Sequence, residues 1–399
     1  MGKFSVFRTP ETIIYGQHAF NEAAKETFLR GKNALIISDH IMESLGYVGQ
    51  IRNNLNKTGV ESVAYLGVKT EPTDVYVEEA LNLLKHENCD VVISLGGGSC
   101  IDTAKAVAVV AANGGYIGDY MGGKTWANHK AVPHIAIPTT AGTGSEATDA
   151  AIITNTENNV KMMIKQPAFM PDVAIVDPLL TISSPKSVTA ATGVDALSHA
   201  IEAYISRRAH PMTDKLALSA MELIVGNLRA AYEDGKNLVA REAMSLGAMQ
   251  AGMAFSNASV CLVHGMSRPI GALFHVPHGF SNAMLLPAVL AFSKSNCIDR
   301  LADLGRYFVR EAETLSNEEA AEIAVTSVKK LCLDLSIPNL KGWGIERQQF
   351  ENAINKMAED ALASGSPQNN PRIPSKDEIK ELYRTCYNYN FALDNVNNK

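Results

Sequence analysis

The chain has 399 residues, of which 46% are apolar and 20% are charged. A chain of this length is expected to form two or three domains with a large core, and its apolar content excludes intrinsic disorder. With 36 Lys and Arg against 42 Asp and Glu, the net charge is −6. That balance excludes the basic surface needed to bind nucleic acid or an anionic membrane.

The cysteines and the start of the chain indicate a cellular compartment. Six cysteines without a C-x-x-C pair are typical of reduced, buried thiols. The first residues lack the apolar stretch of a secretory signal, and no run of about 18 apolar residues occurs. We therefore expect a cytoplasmic protein that does not cross a membrane.

Short apolar runs in the first half of the chain predict strands. These runs are 34–39, 91–95, 134–138 and 173–177. Because they are β-branched and alternate with helical segments, they are typical of a parallel sheet with helices on both faces. Two further runs, 150–154 and 160–164, flank two asparagines and predict a hairpin.

The second half of the chain has a helical pattern. After Pro185 the sequence is rich in Ala, Leu, Met and Glu up to about Ser364, with apolar residues at helical spacing. Ser375 and Glu378 have the spacing of a capping box, which opens a final helix. The predicted domains are an α/β domain at 1–183 and an all-α domain at 184–399.

Two glycine-containing loops follow predicted strands. Residues 96–99 read Gly-Gly-Gly-Ser before a helix, and residues 138–146 combine two glycines with four hydroxyl side chains. Such a loop lets the backbone approach a phosphate at a helix N-terminus. Two of them at one edge of a parallel sheet predict a dinucleotide crevice. A simple tight turn remains the alternative for the first loop.

Asp39, at the end of the first predicted strand, bears on the choice of cofactor. A carboxylate at this position binds the adenosine ribose and repels a 2′-phosphate, so we predict NAD(H) rather than NADP(H). On spacing alone, a helix N-cap explains Asp39 equally well.

Four residues of the second half have metal-ligand chemistry. Asp195 and His199 are four positions apart in a predicted helix, so they share one face. His264 and His278 follow, each before a glycine. Three imidazoles and a carboxylate are a nitrogen-rich ligand set. Ordinary core or surface histidines are the alternative, because spacing alone does not make four positions converge.

Together, these motifs resemble the iron-containing (group III) alcohol dehydrogenase family, a similarity that covers essentially the whole chain. It implies a dehydroquinate-synthase-like architecture that uses NAD(H) and Fe²⁺, with Zn²⁺ as a substitute. The implied metal ligands are Asp195, His199, His264 and His278. The implied cofactor-site residues are Asp39, Gly97, Gly98, Ser99, Asp102, Thr139, Thr140, Ser145, Lys161 and Leu179. Phe255 is implied as an apolar wall beside the nicotinamide and substrate.

Arg268 departs from the family pattern, in which a second histidine commonly stands four residues after the third ligand. Arginine does not release its proton, but it binds anions through two parallel hydrogen bonds. We therefore expect a small aldehyde or alcohol substrate, with a carboxylate or sulfonate favoured. The alternative is that Arg268 pairs with a carboxylate of its own domain. His275 is a candidate proton relay, and a surface position explains it equally well.

The predicted activity is NAD(H)-dependent interconversion of small alcohols and aldehydes by a homodimer or higher homo-oligomer. Hydride passes between the nicotinamide and the carbinol carbon, and the metal acts as a Lewis acid. The alternative is a lyase similar to dehydroquinate synthase. That class typically has a Glu-His-His metal set and several basic residues for a phosphate.

Overall fold

The computed structural model describes residues 4–309 and 314–392. They divide into two units, one formed by Val6–Ser183 and the other by the chain from Ser184 onward with Phe4 and Ser5. The expectations that concerned the first three residues, 310–313 and 393–399 lie outside the described residues.

Eight strands lie in the described part of the first unit. They are β1 Thr12–Tyr15, β2 Asn33–Ile37, β3 Glu61–Tyr65, β4 Val91–Gly96, β5 His134–Pro138, β6 Ala150–Asn155, β7 Val160–Lys165 and β8 Val173–Val176. Six form a parallel sheet in the order β1-β8-β5-β4-β2-β3, and β6 pairs antiparallel with β7. The parallel sheet and the hairpin are thus confirmed. The edge strands β1 and β3 were not predicted, because they are only partly buried and lack long apolar runs.

Helices cover both faces of this sheet. They are α1 Ala23–Phe28, α2 His40–Ser44, α3 Tyr47–Lys57, α4 Asp74–His86 and α5 Gly98–Asn113. Side chains alternate along a strand, so Leu35 and Ile37 of β2 join a core cluster with α4 and α5. Ala34 and Ile36 join the opposite cluster with α1 and α3.

The sheet order brings the predicted cofactor loops to one edge. In the β4–β5 pair, Gly96 lies opposite Pro138, and the N–H of Thr139 donates to the carbonyl of Gly96 at 3.0 Å. Both glycine loops therefore leave the sheet side by side. The strand order of this parallel sheet reverses at β2: β3 lies on one side of β2, and β4 lies on the other. Open α/β sheets bind nucleotides at such a point.

The second unit is helical in the part of the chain that is described. Its helices are α6 Lys186–Ile205, α7 Pro211–Glu233, α8 Leu238–Ala258, α9 Leu262–Phe274, α10 His278–Ser293, α11 Ile298–Phe308, α12 Asn317–Asp334, α13 Arg347–Ala363 and α14 Lys376–Tyr387. The predicted capping box opens α14, with Ser375 and Glu378 bonded reciprocally. Among the described residues no single helix is long and apolar enough to span a membrane, whereas α8 and α9, bent by 103°, meet that requirement as a pair.

Two glycines let α6 pack closely against its neighbours. A Cβ on Gly193 would lie 2.2 Å from a methyl carbon of Leu228 in α7. A Cβ on Gly279 in α10 would lie 2.7 Å from the carbonyl oxygen of Ala191 in α6. Gly193 lies two residues before Asp195, and Gly279 directly follows His278. Glycine therefore allows the close helix packing around two of the predicted ligands.

Candidate active site

One carboxylate and three imidazoles converge in the second unit. The ligand atoms of Asp195, His199, His264 and His278 all lie within 4.8 Å of one another. Helix α6 supplies the first two, α9 supplies His264 near its start, and α10 begins at His278. The predicted convergence of these four residues is confirmed.

Asp195 lies at the centre of this cluster. Its Oδ1 is 3.5 Å from Nε2 of His264, 3.8 Å from Nε2 of His278 and 3.9 Å from Nδ1 of His199. The residue is only 1% exposed. Burial by itself raises the pKa of Asp195, but the surrounding imidazoles outweigh it and hold this pKa below its usual range. Asp195 is therefore ionised at neutral pH.

The donor set fits a divalent cation. A buried charge is tolerated in proteins when it is paired or coordinates a metal. Here one buried carboxylate and three imidazole side chains present their ligand atoms to a common centre. Nitrogen and oxygen donors of this kind suit first-row divalent metals such as Fe²⁺ and Zn²⁺.

Ring stacking orders one side of the cluster. The ring of Phe255, from α8, stacks on the imidazole of His199 with centroids 4.3 Å apart and an interplanar angle of 18°. The imidazole of His264 also stacks on His199, at 4.3 Å. Phe255 is thus an apolar side chain in direct contact with a metal ligand.

Asn282 is a cluster residue that sequence reasoning missed. Its Nδ2 lies 2.6 Å from Oδ1 of Asp195, 3.0 Å from Nε2 of His264 and 3.1 Å from Nε2 of His278. The residue follows His278 by four positions in α10, so the same i, i+4 rule that paired Asp195 with His199 would have identified it.

Glu202 was also missed. It is 1% exposed and lies on α6 three positions after His199. Its Oε2 accepts a hydrogen bond from Nδ1 of His264 at 2.6 Å. Seven positions separate Glu202 from Asp195, which places both on one helix face. That spacing was the signal by which the sequence could have identified Glu202.

Arg268 lies one turn beyond His264, because α9 continues through Pro269 to Phe274. It is 7% exposed, and its Nη1 donates to Oγ of Ser366 at 3.0 Å. Burial lowers the pKa of Arg268 to about 10, against the opposing influence of Glu202. The guanidinium is therefore charged at neutral pH and has a carboxylate nearby.

His275 ends α9 on the surface. It is exposed and adopts a left-handed conformation with φ 54°, and its N–H donates to the carbonyl of Gly271. The predicted role as a proton relay stays a prediction.

The two glycine loops lie against each other at the start of α5. A Cβ on Gly98 would lie 2.7 Å from Cγ2 of Thr143, and a Cβ on Gly97 would lie 3.6 Å from Oγ1 of Thr140. Gly97 is the N-cap of α5, and Ser99 is in its first turn. The first N–H groups of a helix lack intrahelical partners and attract anions. This helix start therefore has the properties of a phosphate site.

Asp102 connects these loops to the hairpin. Its Oδ1 accepts from Oγ of Ser145 at 2.5 Å, and its Oδ2 accepts from the N–H of Ile152 in β6 at 2.8 Å. Asp102 and Ser145, both predicted in the cofactor site, are thus bonded to each other.

Lys105 is a buried cation that sequence reasoning missed. It is 1% exposed, and its Nζ donates to Oγ of Ser145, to Oγ1 of Thr148 and to the carbonyl of Ala150, at 2.7 to 2.8 Å. Burial lowers the pKa of Lys105 to about 8, and Asp102 opposes that shift. Lys105 therefore fastens the second glycine loop to α5.

Asp39 is the N-cap of α2, since its Oδ1 accepts from the N–H of Met42 at 2.8 Å. Its Oδ2 lies 3.8 Å from Sγ of Cys100, which acts as the donor. The capping interpretation is confirmed. Ribose recognition by the same carboxylate stays a prediction.

Two other predicted cofactor residues lie elsewhere in this unit. Lys161, on β7, has a largely buried side chain that forms an ion pair with Glu71. Leu179 lies in the turn after β8, where its N–H donates to Oδ1 of Asp177 at 3.0 Å.

A nucleotide-type α/β unit and a helical unit with a divalent-metal site are together characteristic of a metal-containing dehydrogenase. Sequence patterns of known families give the same result. The pattern of iron-containing alcohol dehydrogenase matches residues 10–178, and the C-terminal pattern of the Fe-containing alcohol dehydrogenase family matches residues 189–387. The chain belongs to the iron-containing alcohol dehydrogenase family.

Individual relatives extend over the whole chain. The 1,3-propanediol dehydrogenase of Citrobacter freundii is 37% identical, covering 96% of this chain and 98% of that protein. The NAD-dependent methanol dehydrogenase of Bacillus methanolicus is 37% identical, covering 95% and 99%.

Solved structures agree in fold. A crystal structure of 1,3-propanediol oxidoreductase superimposes with a TM-score of 0.92 at 36% identity, covering 96% of this chain and 100% of that one. The sulfoacetaldehyde reductase of Bifidobacterium kashiwanohense, in complex with NAD⁺, has a TM-score of 0.85 at 26% identity, covering 98% and 100%. This chain is accordingly an NAD-dependent alcohol dehydrogenase, an oxidoreductase, which disfavours the lyase alternative.

Proposed function

We propose that the protein reduces short, uncharged aldehydes with NADH and oxidises the corresponding alcohols with NAD⁺. The observation that carries this proposal is the four-ligand cluster around Asp195, in a chain whose relatives include a 1,3-propanediol dehydrogenase and a methanol dehydrogenase. We also expect a homo-oligomer, which light scattering on the purified protein would reveal.

The proposed metal is Fe²⁺. Four protein ligands saturate tetrahedral zinc, whereas a metal that accepts five or six ligands keeps a position for the substrate oxygen. When bound, the metal polarises the carbonyl oxygen and the nicotinamide supplies or accepts hydride. Zn²⁺ is expected to occupy the same ligands when it is supplied in excess.

The side chains of this protein would position the reactants. Phe255 is proposed as the apolar wall beside the reacting carbon, which is consistent with its stacking on His199. The helix start at Gly98 and Ser99 is proposed to hold the pyrophosphate through backbone N–H groups. Lys161 would line the cofactor site while it remains in its ion pair with Glu71.

The charge around Arg268 favours an uncharged substrate. Its guanidinium donates to Ser366, and Glu202 is near enough to raise its pKa against the effect of burial. The carboxylate of Glu202 offsets part of the positive charge of Arg268. Arg268 then attracts an anion less strongly than an isolated guanidinium would.

An anionic aldehyde is the second candidate substrate. Arg268 stays protonated and lies one helical turn from His264, and the fold is similar to that of a sulfoacetaldehyde reductase. A direct contact with a substrate carboxylate or sulfonate is a charge-assisted pair. It would contribute about 1.5–3 kcal/mol, or roughly ten- to a hundredfold in kcat/KM.

A steady-state screen of NADH oxidation by Fe²⁺-loaded protein tests the proposal. Propanal and lactaldehyde represent the uncharged class, and aldehydes of equal length with a carboxylate or sulfonate represent the anionic class. We expect higher kcat/KM for the uncharged class. Absence of NADH oxidation with every aldehyde, in protein with full metal content, would overturn the proposed activity.

Two variants decide between the substrate classes. Arg268→His removes the fixed charge, and Ser366→Ala removes the same hydrogen bond while leaving the guanidinium. If anions bind Arg268, only Arg268→His lowers kcat/KM for anionic aldehydes, by ten- to a hundredfold, and uncharged ones are unaffected. If Arg268 is structural, both variants lower thermal stability and change kcat/KM equally for anionic and uncharged aldehydes.

A further inference from the structure

Glu202 is a buried carboxylate that is not itself a member of the ligand cluster. An ionised carboxylate is costly to bury unless hydrogen bonds satisfy it. Glu202 lies on α6, one turn after His199, and is 1% exposed. Its two oxygens receive three hydrogen bonds, all from the segment that carries His264.

The first of these bonds determines the tautomer of His264. Oε2 of Glu202 lies 2.6 Å from Nδ1 of His264. A carboxylate has no proton to donate, so Nδ1 must carry the hydrogen. The lone pair of the neutral ring is then on Nε2, the atom that lies 3.5 Å from Oδ1 of Asp195. An outer carboxylate of this kind orients metal-binding histidines and raises their basicity.

The other two bonds hold the start of α9. The N–H of Cys261 donates to Oε2 at 2.9 Å, and the N–H of Val263 donates to Oε1 at 2.6 Å. The first N–H groups of a helix lack intrahelical partners, and an anion there is favourable. The chain enters α9 through Ser259, which has φ 78°. Glu202 thus satisfies N–H groups that α9 itself leaves unpaired.

We propose that Glu202 is the positioning residue of the metal site. It holds His264 in the Nδ1–H tautomer and fastens the first turn of α9 to α6, so that Nε2 of His264 faces Asp195 and would be the atom that binds the metal. The inference rests on one part of the function proposed above, the binding of a metal by the ligand cluster. It does not depend on the substrate.

Glu202→Gln is the variant that separates positioning from simple burial. The amide retains the size of the side chain but has one acceptor oxygen in place of two, so it cannot accept from the Nδ1–H of His264 and from the N–H of Val263 at the same time. Metal-depleted protein would be titrated with Zn²⁺ against a chelating dye. We expect the Kd for Zn²⁺ to weaken by about 10- to 100-fold, the usual effect of losing an outer carboxylate.

The matched control is Asp214→Asn in α7. Asp214 forms an ion pair with Arg300 in the same unit, outside the ligand cluster. Its loss is expected to lower the Tm but to leave the Kd for Zn²⁺ within twofold. Long-range ¹H–¹⁵N spectra of histidine-labelled, Zn²⁺-loaded protein provide a second measurement. The Nδ1-bound proton of His264 should give a strongly hydrogen-bonded, slowly exchanging signal in the parent protein, and this signal should shift or exchange faster with water in Glu202→Gln.

Unchanged Zn²⁺ affinity in Glu202→Gln, or an equal loss in Asp214→Asn, would overturn the positioning role. If Glu202→Gln does not fold, Glu202→Asp is measured by the same criteria. It retains the charge but withdraws the carboxylate by one methylene, so weaker Zn²⁺ binding is again expected. Because Zn²⁺ affinity is measured without any aldehyde, a failed aldehyde screen would leave this inference intact.

Discussion

Asp39 performs one structural task and, by our proposal, one recognition task. Oδ1 caps α2, while Oδ2 faces the thiol of Cys100, a weak donor that an incoming ribose hydroxyl can readily outcompete. A 2′-phosphate would meet the carboxylate as a like charge, which costs several kcal/mol when water is excluded.

Asp39→Gly is expected to narrow the preference for NADH over NADPH by at least tenfold, because the repulsion of the 2′-phosphate is removed. The measurement is kcat/KM for both cofactors. Thr73→Gly is the matched control, since Thr73 caps α4 through a similar bond to the N–H of Tyr76. It should lower stability similarly and leave the cofactor ratio unchanged. Equal kcat/KM for NADH and NADPH in the parent protein would contradict the assignment.

At the scale of elements, close helix packing around α6 gives a second prediction. Gly193 faces Leu228 at a distance that leaves no room for a Cβ, whereas Gly226 of α7 faces open space. Gly193→Ala should destabilise the protein by about 1–3 kcal/mol through overpacking. Gly226→Ala should stabilise it by about 0.5–1 kcal/mol, because alanine favours a helix interior. Urea denaturation measures the free energy of unfolding of both variants. A change of the same sign in both would refute the packing argument.

Lys105 provides a third prediction, for the two glycine loops. Lys105→Met removes three donated hydrogen bonds and leaves Asp102, whose side chain is 13% exposed, without the ammonium group that lies 3.8 Å from its Oδ1. We expect a loss of about 3–5 kcal/mol in stability. Because the second loop is then no longer fastened to α5, we expect NADH to bind at least tenfold more weakly. Fluorescence titration of NADH measures this.

The control for that variant is Lys130→Met. Lys130 is an exposed lysine that pairs with Asp172, so its replacement should change neither stability nor NADH affinity measurably. Unaltered NADH binding in a folded Lys105→Met protein would show that the loops do not depend on this cation.

For the whole molecule, metal binding should be coupled to folding. The ligands come from α6 and from the consecutive helices α9 and α10; α6 is distant from these two in sequence and is brought next to them only by folding. A metal that binds only the folded state at 100 times its Kd stabilises it by about 2.7 kcal/mol. Zn²⁺ or Fe²⁺ should therefore raise the Tm of chelator-treated protein.

His278→Ala should abolish that increase together with the enzymatic activity, whereas His275→Ala, at an exposed position, should preserve the increase. Calorimetry at fixed metal concentration measures the increase in Tm for both variants. A full increase in Tm in His278→Ala, with stoichiometric metal in elemental analysis, would remove His278 from the ligand set.

Much of this protein could be predicted from local sequence patterns. The buried strands β2, β4, β5 and β8 are continuous apolar runs, and such runs need two covered faces, so they predict a parallel sheet without further information. The edge strands β1 and β3 escaped prediction because an edge strand is covered incompletely and its composition is less distinctive. The i, i+4 spacing of Asp195 and His199, with the family resemblance, was sufficient to name four ligands.

Tertiary structure decided which further polar residues serve the site. Glu202 and Asn282 share a helix face with metal ligands by spacing and Lys105 has no such signal, yet by sequence each could equally face solvent. Each forms a hydrogen bond to a residue 40 to 87 positions away along the chain. Such partners are brought within reach only when the helices pack. The sequence by itself determined the elements and the donor chemistry, because these depend on local periodicity and side-chain type. The orientation of each donor depended on the packing of distant helices.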